Sequence, residues 1–540
     1  MNELLLQWEG QLYNTERLAA KIREQGYPLG TESVESVVLA GYEIFGPDIV
    51  KLMKGSFVFS IMDRKKETLH LYRDRLGSRC IFYSVVNGML IYGTNLNTIL
   101  SYPGVKAVLD DEGLCELFGM GPARTPGKTP FKGIYELPPG TRLTYGHRGI
   151  QLVSYWKLET KNHVHSLEET LEHTKNLMEA CIREQTEGKD VAVLLSGGVD
   201  SSYIAALYKK ICVGEGRQLH TYSLDFEDSN THFDKNDYQP SLDRPYVERM
   251  VKALNSHHTY LWCNVEEQYE RLLPAMRHQS LPCMADIQSS FDYLCEKVGE
   301  KEHIVLTGEC ADEIFGGYPW FFEEEPATGF AWSGGMELRE RALIPQLANR
   351  LRLQEYVQGI YEKECSSIVY LDTETPRDCQ RRRDTYLTIR FFMQTLMNRL
   401  QGAVLPAQLE ARVPFCDPEL VEYAYNIPWN MKARNGERKY ILRRLALDVL
   451  PPEVALRPKS PYPKDYHPMY KEKLVGLWTD LLRKDCPIFQ IVDKQYIREL
   501  MSGREMEKPW FGQLMRSPQM LAYFYQMNAW LEEYNIEVRV

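Results

Sequence analysis

The sequence has no C-x-x-C pair, and none of its 12 cysteines sits at a Cys/His spacing suited to zinc. That argues against zinc ribbons and dithiol redox sites, and leaves buried thiols in a reducing compartment as the expectation. No run approaches the roughly 20 apolar residues of a membrane span. Met1-Asn2-Glu3 opens without a basic-then-apolar signal pattern, so a cytoplasmic protein is expected. Positive charge is scarce: 64 Lys and Arg against 74 Asp and Glu leave a net charge of −10. That argues against a broad nucleic-acid-binding face, though not against a local pocket for a nucleotide. No internal repeat or low-complexity segment is present.

What remains is a chain of 540 residues, 44% apolar and 26% charged, long enough for two or three globular domains. A polar stretch over 157–166 divides it. Before the stretch lie short β-type runs such as Gly55 to Ile61 and Leu69 to Tyr72, with a helical stretch from Thr15 to Glu24. After it, fully apolar strands alternate with helices. Val191 to Leu195 reads as a strand buried on both faces, with Thr221 to Phe226 and Ile304 to Leu306 as neighbours. That order predicts a parallel α/β sheet, followed from about residue 336 by a mostly helical region.

The strongest local signal is Ser196-Gly197-Gly198-Val199-Asp200-Ser201-Ser202, between the first of these strands and a helix. Glycines let the backbone approach an anion, while hydroxyls and helix N-terminal amides supply donors. Asp200 beside a phosphate makes sense if Mg²⁺ lies between them. The bland alternative is a Ser/Gly turn. The strand Ile304 to Leu306 ends in Thr307-Gly308-Glu309-Cys310-Ala311-Asp312-Glu313-Ile314-Phe315-Gly316-Gly317-Tyr318-Pro319. Ligand crevices in open α/β sheets lie beyond the carboxyl ends of the strands, so both segments should face one cavity. Three carboxylates within five residues repel unless a metal or cation offsets them. A solvated acidic turn is the competing reading, opposed by Phe315 and the apolar strand.

S-G-G-V-D-S followed by T-G-E-C-A-D-E-I-F-G-G-Y-P resembles the synthetase domain of glutamine-dependent asparagine synthetases. Leu409 to Asp417, Gly436 to Arg443 and Leu450 to Lys459 continue the likeness in the family's order. The resemblance implies an α/β fold with two parts. Residues 1–156 would form a truncated Ntn-hydrolase-like αββα sandwich. Residues 168–540 would form an ATP-pyrophosphatase parallel α/β domain with a helical C-terminal extension.

Roles follow from the same resemblance. Ser196, Gly197, Gly198 and Ser201 would cradle pyrophosphate, and Leu195, Leu224, Thr307 and Gly308 would contact adenosine. Asp200 and Asp312 would hold Mg²⁺, Glu309 would act as general base, and Lys459 would stabilise the acyl-adenylate and tetrahedral intermediate. Lys439 and Arg443 read either as further phosphate contacts or as the solvated face of a helix. The implied reaction uses ATP to adenylate the β-carboxylate of an aspartate-like acceptor, after which ammonia displaces AMP. Small-molecule substrates, no nucleic acid, no membrane and a homodimer are the implied partners. Two features bear on the acceptor. Leu281 to Asp286 is expected to line its pocket. Leu400 to Gln408 replaces the family's D-R-x-S-M-A-like stretch.

The front of the chain departs further. Family glutaminase domains begin with a catalytic cysteine, whereas residue 1 is Met and the first cysteine is Cys80. Glu9-Gly10-Gln11-Leu12-Tyr13-Asn14 aligns with N-G-E-I-Y-N, and Val34 stands where an Asp would bind the glutamine ammonium. Several dozen preceding residues of the family's domain are expected to be missing. Either the start is misplaced, or the protein takes free ammonia or another amine and glutaminase activity is lost. Two alternatives stay open: an amide- or macrolactam-forming synthetase resembling β-lactam synthetases and lasso-peptide cyclases, and a non-catalytic scaffold.

Overall fold

A computed structural model describes residues 3–539 except 234, 236–238, 324–326, 504–505, 507 and 514. The strands are Leu4–Leu12 (β1), Gly55–Asp63 (β2), Thr68–Arg73 (β3), Phe82–Val86 (β4), Met89–Gly93 (β5), Val108–Leu109 (β6), Ile134–Glu136 (β7), Thr141–Gly146 (β8) and Gly149–Ser154 (β9). Beyond the divide come Ala192–Leu194 (β10), His220–Phe226 (β11), His257–Cys263 (β12), Ile304–Leu306 (β13), Glu410–Arg412 (β14) and Glu537–Val538 (β15).

In the front part, β1-β2-β3-β8-β9 form an antiparallel sheet whose hairpins are set by turn residues such as Glu67 and Gly149. Its alternating pattern sorts side chains to two faces. Phe57, Phe59 and Ile61 pack beneath the helices Thr15–Glu24 and Val34–Phe45. Val58, Leu69, Leu71 and Leu143 meet Tyr83 of the second sheet, β5-β4-β7. This is the layered, Ntn-hydrolase-like arrangement.

The second part carries a five-stranded sheet in the order β12-β11-β10-β13-β14, with every neighbouring pair parallel. Its central strands are buried on both faces, which accounts for their unbroken apolar sequence. The order reverses beside β10: one chain direction leads to β11 and the other to β13. Their carboxyl ends deliver the 196–202 segment (the expected phosphate loop) and the 307–319 segment (the acidic turn) to one crevice.

The two parts are not cored separately. One apolar cluster combines Phe82, Leu114, Phe118 and Ile134 with Trp478, Trp510, Phe524 and Trp530 of the helical C-terminal region. β15 pairs with β6, tying the C-terminal segment back to the front part. No described helix is long and apolar enough to cross a membrane.

Candidate active site

The phosphate loop turns at Gly197, whose φ of +68° suits glycine. A Cβ there would come within 2.7 Å of Tyr246 Cβ. Ser201 Oγ accepts from Ser196 N at 3.1 Å and meets Ser196 Oγ at 3.0 Å, closing the loop on itself. Gly198 precedes the helix Val199–Gly214 without a side-chain cap, so the first amides of that helix face the crevice uncapped.

The acidic turn lies directly against this loop. At Gly308 a Cβ would sit 2.8 Å from Ser201 N. Cys310 takes a left-handed φ of +75°, and the short helix Ala311–Phe315 then carries Asp312 and Glu313 inward. Both segments line one cavity of about 250 Å³, together with Leu195, Leu224, Thr307 and Lys459.

Charge in the cavity is balanced by lysines brought from the far end of the chain. Lys439, 3% exposed, donates to Asp200 Oδ1 at 2.8 Å and Oδ2 at 2.6 Å, and also pairs with Asp312. Lys459 pairs with the other oxygen of Asp312. Asp312 therefore has two cations and Asp200 one. Burial alone would raise the Asp312 carboxyl, but Lys439 and Lys459 outweigh it and hold the group at about 2. At Asp200 burial wins over Lys439, and Asp312 adds repulsion, so its carboxyl is raised. Glu313 is pushed up to about 7 by burial and by the charge of Asp312, while accepting a hydrogen bond from Tyr318 Oη at 2.6 Å. Burial opposes the charge of Lys459, yet Asp312 and Asp200 raise its ammonium.

Glu309 is held apart from these lysines. Its partner is Arg399 of the helix Met393–Val404, at 2.5 Å. The Arg399 guanidinium lies 4.9 Å from the centre of the Phe291 ring and 5.3 Å from that of Tyr462.

The site residues of the two motifs thus share one cavity, Gly197 excepted, which turns the loop without lining it, but three expectations need correction. Lys439 and Arg443 are not a solvated helix face: both are buried. Nor is Arg443 free to grip a phosphate, because it donates to the backbone carbonyls of Arg438, Ala455 and Arg457. In the segment Leu281 to Asp286, Met284 lines the main cavity, whereas Asp286 turns away to accept from Gln519 Nε2 at 3.0 Å. Sequence reasoning also gave no role to four cavity arginines, of which Arg244 pairs with Glu248 at 3.2 Å. Arg399 has just been placed. Arg457 braces the phosphate loop by donating to Ser196 O at 3.3 Å and pairing with Asp243 at 2.6 Å. Arg438 lines the cavity beside Lys439 with its guanidinium over Phe322. Its signal was adjacency to Lys439 in Gly436 to Arg443, and that of Arg457 was its place two residues before Lys459; Arg244 and Arg399 had none.

In the front part, Glu9 pairs with Arg79 at 3.0 Å and Gln11 donates to Glu410 at 2.9 Å. Val34 packs against the core beneath the two helices.

Comparison with known proteins gives these sites a family. The asparagine synthase family matches residues 173–532, and the glutamine amidotransferase domain matches residues 1–156. The chain is 37% identical over 537 residues to glutamine-hydrolysing asparagine synthetase 3 of Bacillus subtilis, covering 98% of this chain and 87% of that protein. It is 22% identical to asparagine synthetase 1 of the same organism, covering 93% and 82%. It is 24% identical to the amidase chyE of Penicillium rubens, covering 85% and 77%. The family match over residues 173–532 and the likeness over nearly the whole length establish that the chain belongs to the asparagine synthase family of carbon–nitrogen ligases.

Proposed function

We propose that the protein adenylates a carboxylate with ATP, most simply the β-carboxylate of aspartate, and passes the acyl group to ammonia. The products are the amide, AMP and pyrophosphate. The observation that carries this reading is the contact of the phosphate loop with the acidic turn, where Gly308 allows a backbone approach that any side chain would block.

Roles follow from position. The Ser196–Ser201 loop and the uncapped helix amides receive the phosphates, and Leu195 and Leu224 flank the nucleoside. Lys439, buried, and Lys459, partly buried, are cations held by Asp312 at the place where negative charge develops, and they need not reorganise as it does. Glu309 lines the cavity paired with Arg399 rather than with a lysine, and is the carboxylate we assign to take a proton from the attacking ammonia.

Mg²⁺ fits the donors as a companion of the nucleotide. Among the described residues no three His, Cys, Asp or Glu side chains form a ready metal cage. Asp200 and Asp312 line the cavity together and share Lys439 between them. Two carboxylates suit an ion that takes its other ligands from phosphates and water. Asp200 and Asp312 would hold it, and its charge would offset that of the departing pyrophosphate.

Glutamine is not the nitrogen source in this reading. The positions that would hold it are spent on internal contacts: Glu9 on Arg79, Gln11 on Glu410, Val34 on the core. An apolar Val34 leaves a ligand ammonium unpaired, which costs several kcal/mol, roughly. A second reading, amide closure within a peptide or modified amino acid, is favoured by the apolar wall of Met284, Ile287, Phe392 and Leu396.

The test is amide formation from ATP and aspartate with ammonium or glutamine as nitrogen donor. Turnover with ammonium and none with glutamine supports the proposal. Turnover with glutamine refutes the lost glutaminase. Turnover only with a peptide or modified amino acid favours the second reading.

A further inference from the structure

We infer that the front part carries an anion site of its own, a cleft at its joint with the second part that takes a phosphoryl group of two or more negative charges. Arg17, Lys21 and Arg75 are the cations that hold it.

The cleft has a volume of about 220 Å³ and shares no lining residue with the main cavity. Arg17 and Lys21 come from the helix Thr15–Glu24, Lys51 to Lys54 from the segment leading into β2, and Arg75 from the turn after β3. Glu419 reaches it from the second part. Its walls are pinned to one another. Asn14, 7% exposed, donates from Nδ2 to Leu52 O and accepts from Lys54 N, both at 2.9 Å. Arg75 donates to Met53 O and Lys51 O, both at 2.8 Å.

Those carbonyls fix the guanidinium without neutralising it. Among the described residues Arg75 forms no ion pair with a carboxylate, and Arg17 and Lys21 make neither a side-chain hydrogen bond nor an ion pair. The carboxylates nearby are engaged. Asp48 pairs with Lys51 at 2.7 Å and with Arg142 at 3.1 Å. Glu184, Asp417 and Glu419 surround the buried Lys54 at 2.8, 3.0 and 3.5 Å. Arg17 and Lys21 also lie one turn apart on the same helix face, where like charges repel. Arg23 of that helix, by contrast, pairs with Glu32.

Three unneutralised cations around one concavity, in a chain of net charge −10, focus a positive field on the space between them. The fork of Arg75, already oriented, and the longer reach of Arg17 and Lys21 suit the tetrahedral oxygens of a phosphoryl group. A cleft of this size admits inorganic phosphate, pyrophosphate or the phosphate end of a mononucleotide, and not a nucleic-acid strand.

The experiment is calorimetric titration of the full chain with inorganic phosphate, pyrophosphate and AMP, each with the main cavity filled by excess α,β-methylene ATP. One equivalent of anion should bind beside the analogue, more weakly as salt rises. Arg75→Gln, and Arg17→Gln combined with Lys21→Gln, should each weaken that binding by about tenfold or more, as loss of charge-assisted hydrogen bonds requires. Affinity for the analogue should stay within about twofold, which shows that the variants are folded. Tighter binding of AMP than of phosphate marks a nucleotide as the source of the group, and the reverse marks a free anion; both support the site. The inference is overturned if wild type binds no anion beside the analogue, or if both variants bind it as wild type does. Neither result touches the ligase reading, whereas failure of the analogue to bind counts against that reading alone.

Discussion

Replacing Lys439 by Met would test the electrostatics of the site. The backbone at Lys439 has a φ of +54°, and an unbranched Met accepts it about as well as Lys does. The substitution therefore removes the ammonium with little change of shape. It takes away the sole lysine of Asp200 and one of the two at Asp312. Breaking a buried pair by deleting one partner costs about 3–5 kcal/mol. The pH dependence gives a sharper signature. In wild type the Asp312 carboxyl is depressed from 3.8 to about 2. That shift corresponds to stability on the order of 2 kcal/mol, present above the unfolded value and lost as pH falls through the folded one. In Lys439→Met, burial and mutual repulsion raise the carboxyls instead. A raised carboxyl destabilises the fold above its folded value, so the variant should gain stability as pH falls from 7 towards 5. Urea unfolding followed by tryptophan fluorescence at pH 5, 6 and 7 reads both effects. A variant within about 1 kcal/mol of wild type, with the same pH slope, would refute the reasoning, since a buried pair cannot be broken so cheaply.

Three further outcomes follow. Asp312→Asn keeps the shape but removes the charge that Lys439 and Lys459 face, and it should lower pyrophosphate release by about a thousandfold; an unchanged rate would remove Asp312 from the site. Cys80→Ala should leave ammonium-dependent turnover within about twofold, because burial pushes this thiol up to about 12 and it donates to Asn398 Oδ1 at 3.0 Å. In Gly317→Ala the new Cβ would overlap Asp312 Oδ1 and Lys439 Cε, so ATP binding measured by calorimetry should be lost.

Much of this was legible in the sequence because it depends on neighbours along the chain. The parallel sheet is written in apolar runs bounded by turn residues, and the loop and the acidic turn are each a short continuous segment. The rest depends on pairings that span the chain. Glu309 and Arg399 are separated by 90 positions, and Gln11 and Glu410 by 399. A lysine read from sequence looks the same whether it covers a helix face or bridges two buried carboxylates, which is why Lys439 and Arg443 stayed ambiguous. Asp286 was misplaced for a related reason: its segment does reach the cavity, but the turn at Ala285, with φ +48°, sends consecutive side chains in different directions. The apolar cluster shared by both parts was invisible for the same cause, since polarity marks a divide over 157–166 while the packing crosses it.

The most direct measurement is a crystal structure with an ATP analogue whose α–β bridge is methylene, soaked with magnesium. The account predicts the triphosphate against Gly197, Gly198 and Ser201, with Asp200, Asp312 and Lys459 around its inner phosphates. A nucleotide bound outside the cavity, or a triphosphate directed away from the 309–313 turn, would contradict it.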